Sequence, residues 1–198
     1  MLARLLTPAE YGIMAMIAIF IAVSNSIVDS GFSNALIRKV RVELGDCSTV
    51  INFNLAVSVL LYVLLFLASP SISVFFKEPE LVKVTRVIGS VLVINALAII
   101  PRTVFVRDVN FKTQTKVSLI SSVSSGAVGI VMALSGMGVW SLVGQQLSRQ
   151  SLNSLFLWVY CKWKPSLEFS IESFRELFGF GSKLLLSGLL STVYQNVY

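Results

Sequence analysis

Four polar side chains recur at helical spacing inside an apolar part of this chain: Gln146, Arg149, Gln150 and Asn153. Arg149 is the single charged residue among the 45 that separate Lys116 from Lys162. Side chains three and four apart share a helix face, so the four form one polar stripe, with Gln145 beside it. A charge at the centre of an apolar crossing costs at least about 2.5–3.5 kcal/mol, so such a residue faces a protein interior or a wet cavity. The chemistry this suggests is binding rather than bond making: a cation with amide neighbours lining a path for something anionic. The alternative is a buried structural arginine bonded to backbone carbonyls or to a neighbouring helix.

Asp29 is a second charge within an apolar run, with Asn25 one turn before it. Three roles are open to this pair: ion coupling or gating, a solvated helix end near Gly31, or an Asp29–Arg149 ion pair inside a bundle. Asn95 lies in mid-segment, where an interhelical hydrogen bond is the expected role. Ser118, Ser122 and Gly126 form one row of small residues, and Ser121, Ser125 and Gly129 form another; both are read as packing surface. Gln195 and Asn196, flanked by Tyr194 and Tyr198, are polar positions in the last apolar run.

The chain has no histidine, and Cys47 and Cys161 lie far apart with no CxxC pair. Metal and Cys-His chemistry therefore lack ligands, no cofactor is called for, and the cysteines are read as small apolar side chains. The net charge of +6 does not imply nucleic acid, because the positive residues form no patch or arm but sit between apolar runs.

The elements that must position these residues are membrane helices. Of 198 residues, 55% are hydrophobic and 13% charged, and the mean hydropathy is +0.81; soluble domains carry about 25% charged residues. Val117–Leu134 and Val139–Cys161 flank Ser135-Gly136-Met137-Gly138, and a helix needs about 20 residues to cross a bilayer core. The pair predicts a transmembrane hairpin with Arg149 near the middle of its second arm. Four further apolar segments are expected: Tyr11–Ile37; Cys47–Phe76, helical to about Ser69 before Pro70; Val84–Ile100, ended or kinked by Pro101; and Leu184–Tyr198. The fold class is thus all-α, a polytopic transmembrane bundle of about six segments. Because Glu10 precedes the first run and five more follow, that run is read as a retained span and not a cleaved signal.

Eleven Lys and Arg residues fall on one side of this arrangement and four on the other. By the positive-inside rule the richer side is cytoplasmic, so the first segment runs inward, the Gly136–Gly138 turn lies outside and Lys162 inside. Met1–Glu10 would then lie outside with nothing to carry it across. A span is therefore expected before Met1, with the last segment continuing past Tyr198, as in a fragment of a larger transporter-like protein. Between the fifth and sixth segments, Ile171, Phe174, Leu177 and Phe178 share one face, which predicts a short interfacial helix capped by Ser170.

Several local patterns are similar to those of one family. Arg4-Leu5-Leu6-Thr7-Pro8-Ala9-Glu10-Tyr11-Gly12 resembles the R-L-L-x-P-x-E-Y-G turn after the first helix of bacterial polysaccharide-export flippases. Asp29-Ser30-Gly31-Phe32-Ser33-Asn34-Ala35-Leu36-Ile37 resembles their next signature. Gly138-Val139-Trp140-Ser141-Leu142-Val143 resembles the opening of their sixth helix, and Phe178-Gly179-Phe180-Gly181-Ser182-Lys183-Leu184-Leu185 that of their seventh. These patterns, in order across essentially the whole chain, resemble the Wzx-type oligosaccharide flippases of the multidrug/oligosaccharidyl-lipid/polysaccharide exporter superfamily.

The resemblance implies a multi-pass protein of the bacterial inner membrane with two helical lobes around a cavity and alternating access between them. It implies membrane lipid as surroundings, an undecaprenyl-diphosphate-linked oligosaccharide as substrate and H+ or Na+ as coupling ion. Residues 1–161 would be the first-lobe bundle (family helices two to six), 162–183 a cytoplasmic linker and 184–198 the start of the second lobe. Arg149 matches the family's cationic cavity by character and location, with Gln146, Gln150 and Asn153 beside it; Asp29 and Asn25 are the candidates for coupling or gating. A drug or cation antiporter of the same superfamily is the nearest alternative, but the mid-span charge is positive. A membrane polymerase or glycosyltransferase would need catalytic groups on large external loops, and Pro70–Lys83 and Ser135–Gly138 are short, so a transporter and not an enzyme is expected.

Overall fold

The computed structural model describes residues 6–29, 32–39 and 44–161, together with the isolated positions Ser170 and Arg175. The expected interfacial helix, the rest of the linker at 162–183 and the segment at 184–198 lie outside the described residues. The described part is helical: α1 (Pro8–Asp29), the short α2 (Phe32–Arg38), α3 (Leu44–Phe76), α4 (Glu80–Arg107), α5 (Phe111–Leu134) and α6 (Val139–Tyr160). Four of these, α1, α3, α4 and α5, are long and apolar enough to cross a membrane. α6 falls short of that apolarity because the run Gln145–Ser154 is mostly polar, although α6 packs within the same bundle.

The helix starts follow local chemistry. Thr7-Pro8-Ala9-Glu10 is a capping box with proline at the first helical position, and the Thr7 backbone N–H donates to Glu10 Oε2 at 2.6 Å. Asn110 caps α5 by accepting from the Thr113 N–H at 3.3 Å. Gly138, between α5 and α6, has φ +54°, a conformation that only glycine adopts without strain, and a Cβ there would lie 2.5 Å from Glu10 Oε1. The start of α1 and the α5–α6 turn therefore share one end of the bundle, as the loop-charge argument requires.

α4 is the central helix. It packs against α1, α2, α3, α5 and α6, and 61% of its apolar stretch is buried against 22–28% for the other three apolar helices. Leu81, Val84, Ile88, Val91 and Leu92 join Ile13, Ile17 and Ile21 of α1, Leu65 of α3 and Val143 of α6 in the main core. A second cluster joins Ala96, Ile99 and Ile100 to Val28, Ala35, Leu36 and Val50. The exposed large residues Leu60, Leu64, Leu67, Leu119, Val123 and Val131 of α3 and α5 form outer faces suited to lipid.

Two expectations drawn from proline are corrected. α3 runs through Pro70 to Phe76, and α4 runs through Pro101 to Arg107. Proline removes the N–H that would bond the carbonyl four residues earlier. At Pro70 that carbonyl is Phe66 O, which accepts from Ser69 Oγ at 2.8 Å. At Pro101 it is Leu97 O, which accepts from Trp158 Nε1 of α6 at 2.9 Å. Within a bundle, side chains that replace the missing donor let a helix continue through proline. Arg102 therefore sits on α4 and not in a loop, and Lys112 and Lys116 likewise sit on α5.

The two rows of small residues on α5 differ. Ser121, Ser125 and Gly129 are buried, and a Cβ on Gly129 would lie 3.0 Å from Gln145 Cβ of α6. That row is packing surface, as expected. Ser118 and Ser122 instead line an open groove, and Gly126 has open space around it.

Candidate functional site

Three arginines on α4 divide the labour of that helix. Arg86, half-buried near its start, donates to Ser69 Oγ of α3 at 3.0 Å and lies 4.3 Å above the Phe66 ring, a cation–π contact that offsets desolvation. Arg107, in the last turn, donates from one nitrogen to Leu36 O at 2.9 Å and to Lys39 O at 2.8 Å. It thereby satisfies carbonyls at the end of α2, where a cation also complements the helix dipole. Lys39 in turn meets the buried Asp46 of α3 at 3.0 Å. Arg102 lies between these two, is exposed, and has no hydrogen bond or ion pair to any described residue.

Arg102 belongs to two grooves at once. The first, of about 610 Å³, lies between α4, α5 and α6; Gln114, Thr115, Ser118 and Ser122 of α5 and Asn153 of α6 line it with Arg102. Asn153 Oδ1 is buried there without a hydrogen-bond partner. The second, of about 380 Å³, lies between α1, α2, α4 and α6; Asn25 and Asp29 of α1, Asn95 of α4 and Gln150 of α6 line it with Arg102. Asn95 Nδ2 donates to Asn25 Oδ1 at 2.9 Å, the interhelical bond expected of Asn95. Asp29 Oδ1 accepts from Ser33 Oγ at 2.7 Å and makes no ion pair with Arg149, so the paired arrangement of those two residues is not present. Both grooves sit toward the end of the bundle that carries Asp29, Arg107 and Lys112, opposite Glu10 and Gly138.

The sequence-derived candidates are thus partly brought together. Gln150, Asn25 and Asp29 line the second groove and Asn153 the first, while Gln146 and Arg149 line neither. Arg149 is exposed on α6 without a partner, one turn before Asn153 and on the same helix face.

A family model described as polysaccharide biosynthesis protein matches residues 1–198, the whole chain. The chain belongs to the polysaccharide biosynthesis protein family. Within this family it is 28% identical over 86% of its length to the teichuronic acid biosynthesis protein TuaB of Bacillus subtilis. It is 25% identical over 91% of its length to the succinoglycan biosynthesis transport protein ExoT of Rhizobium meliloti. It is 21% identical over 99% of its length to the lipopolysaccharide biosynthesis protein WzxC of Escherichia coli. The chain spans 36%, 37% and 40% of the length of these three relatives. No solved structure matches it significantly. The family and the four membrane-length helices make this a multi-pass membrane protein.

For this family member, sequence reasoning passed over Arg102 because it follows Pro101 and was counted as a loop charge. A signal was nevertheless present. Val104, Phe105 and Val106 continue the apolar run beyond Arg102, and a loop between membrane helices has no need of them.

Proposed function

We propose that the protein is a membrane carrier for polysaccharide biosynthesis and export, flipping a lipid-linked oligosaccharide repeat unit across the bacterial inner membrane, and that it is not an enzyme acting on that unit. The observation that carries this reading is Arg102: an unpaired guanidinium at the junction of two polar grooves, on the central helix of a largely apolar bundle. A guanidinium presents five donors in a planar fork that matches phosphate oxygens, and such bonds are about twice as strong as neutral ones. Apart from the Asp29 carboxylate, which accepts from Ser33 Oγ, the grooves supply amides and hydroxyls, which suits holding a polar head. Relatives named for three different polysaccharides fit a site that grips a handle common to their precursors, and a lipid diphosphate is such a handle.

On this reading the substrate is an undecaprenyl-diphosphate-linked glycan, gripped at the cytoplasmic end and released outside by rocking between two lobes. Arg149 and Asn153 would extend the polar path along α6. Asp29 is the candidate for coupling to H+ or Na+.

The test is polysaccharide export in cells carrying Arg102→Ala or Arg149→Ala, with membrane insertion checked by fractionation. Export that falls for Arg102→Ala while insertion persists supports the reading; unchanged export in that variant sinks it.

A further inference from the structure

The turn that joins α4 to α5 holds a residue that its backbone does not suit. Asp108 caps α4, and Asn110 opens α5. Between them Val109 has φ +53°, the left-handed conformation that a β-branched residue rarely adopts. The Val109 N–H donates to Val106 O at 3.2 Å and the Asn110 N–H to Phe105 O at 2.9 Å. These paired bonds make the helix ending in which glycine usually holds the left-handed position. Two caps thus fix the backbone, while the side chain returns little to the fold, because Val109 is 71% exposed. Lys77, which follows α3 in the same conformation, is polar and suits water. An exposed valine does not, and strain of this kind persists where the residue has a use beyond the fold.

Depth says what that use is. α4 has 28 residues, a length of about 42 Å at 1.5 Å each, which matches a bilayer with its headgroups included. Its end therefore lies among headgroups and not in open water. Phe111, 52% exposed, adds a second apolar group beside Val109. Lys112 and Lys116 follow, both exposed and without a partner among the described residues. They share a face of α5 with Leu119 and Val123 of the lipid-facing stripe, so each ammonium stands where that stripe reaches the headgroups. Asp108 is exposed as well, and two lysines against one aspartate leave one net positive charge. Neither lysine lines the groove at Arg102.

We propose that the α4–α5 turn is a docking surface for acidic phospholipid of the leaflet at that end, the cytoplasmic one by loop charge. Val109 and Phe111 enter the boundary between headgroups and acyl chains, and Lys112 and Lys116 hold the phosphates. The turn adjoins the groove that Arg102 shares with Gln114, Thr115 and Ser118 of α5, so docking keeps the mouth of that groove level with the headgroups. The surface does not depend on what Arg102 binds.

The experiment uses the full-length protein in nanodiscs of phosphatidylcholine mixed equally with phosphatidylglycerol. On a Cys47→Ala and Cys161→Ala background, Val109→Cys carries a nitrobenzoxadiazole label, and thermal melts report whether each variant is folded. We expect the label to be quenched by nitroxides attached to lipid near the headgroup and shielded from aqueous iodide. Nitroxide on phosphatidylglycerol should be enriched at the label about fivefold over nitroxide on phosphatidylcholine, the effect of one net charge beside an anionic lipid. Lys112→Gln with Lys116→Gln should abolish that preference. In unlabelled protein, Val109→Gly should not raise the unfolding midpoint in nanodiscs, because relief of the turn is offset by lost insertion. A label open to iodide, equal quenching by the two lipids, or a midpoint several degrees higher for Val109→Gly overturns the docking surface. Farnesyl diphosphate, a short-chain lipid diphosphate, probes Arg102 in the same nanodiscs and should bind the double lysine variant as it binds the unaltered protein. Loss of that binding assigns the lysines to the Arg102 groove and overturns the surface too.

Discussion

Arg102 and Arg107 stand five residues apart on the same helix and do opposite things. Arg107 is spent on structure: it bonds the Leu36 and Lys39 carbonyls, and Lys39 in turn meets Asp46, so the end of α2, the start of α3 and the end of α4 are tied together. Arg102 bonds nothing among the described residues and faces two grooves whose polar groups include the unpartnered Asn153 Oδ1. The contrast separates charge that holds a fold from charge available to a ligand. A membrane bundle tolerates the first because the guanidinium meets carbonyls, a hydroxyl or a ring face, and the second because the groove is open and polar. By the same criterion Arg86, bonded to Ser69 and stacked on Phe66, belongs with Arg107.

Variants at these positions break or sharpen that contrast. Arg107→Ala leaves the end of α2 without its donors and Lys39 and Asp46 without their neighbour, and costs about 3 kcal/mol in denaturation from mixed micelles. Binding of farnesyl diphosphate by the folded fraction should persist. Arg102→Ala is the reciprocal case: affinity for farnesyl diphosphate falls about ten- to a hundredfold, as for loss of a charge-assisted bond, while stability moves by less than about 0.5 kcal/mol. If stability falls as much as for Arg107→Ala, the two arginines are alike and the contrast fails.

Gly138→Ala forces a side chain into a positive-φ turn against Glu10, and destabilises by about 1–2 kcal/mol in the same denaturation assay. It tests the end of the bundle remote from the grooves, so binding at Arg102 should not change beyond the loss of folded protein. Trp158→Phe is the smallest effect. It keeps the ring but strips the donor from Leu97 O, and costs about 1 kcal/mol. Because that bond supports α4 beside Pro101 and Arg102, this variant should also weaken farnesyl diphosphate binding by a small factor, which Gly138→Ala should not.

Much of the bundle was legible from residue order. Apolar runs of crossing length located α1, α3, α4 and α5, and the paired glycines located the α5–α6 turn, because backbone in a bilayer must satisfy itself as helix. The capping box at Thr7–Glu10, seen in the structure, is encoded just as locally. The extents of α3 and α4 were not, since the rule that proline ends a helix assumes that the carbonyl it orphans stays empty. At Pro70 the replacement donor is the adjacent Ser69, but at Pro101 it is Trp158, on another helix. Missing that donor also put Arg102 in a loop. Asn25, Asp29, Gln150 and Asn153 stand out in the sequence as polar residues in apolar surroundings, but their assignment to two separate grooves depends on how α1, α5 and α6 rotate against α4.

By itself, then, the sequence determined the class of molecule, its helices, its charge asymmetry and the short roster of polar residues that a membrane would not tolerate without reason. Those are properties of composition and near-neighbour spacing, set by the cost of exposing backbone and charge to hydrocarbon. Only the tertiary structure decided which of those polar residues have partners. A hydrogen bond between Asn25 and Asn95, or between Trp158 and Leu97, joins residues 70 or 61 positions apart, and no local pattern encodes it. Which arginine of α4 is left over for a ligand is fixed by that remainder, after packing has claimed Arg86 and Arg107 and left Arg102 unpaired.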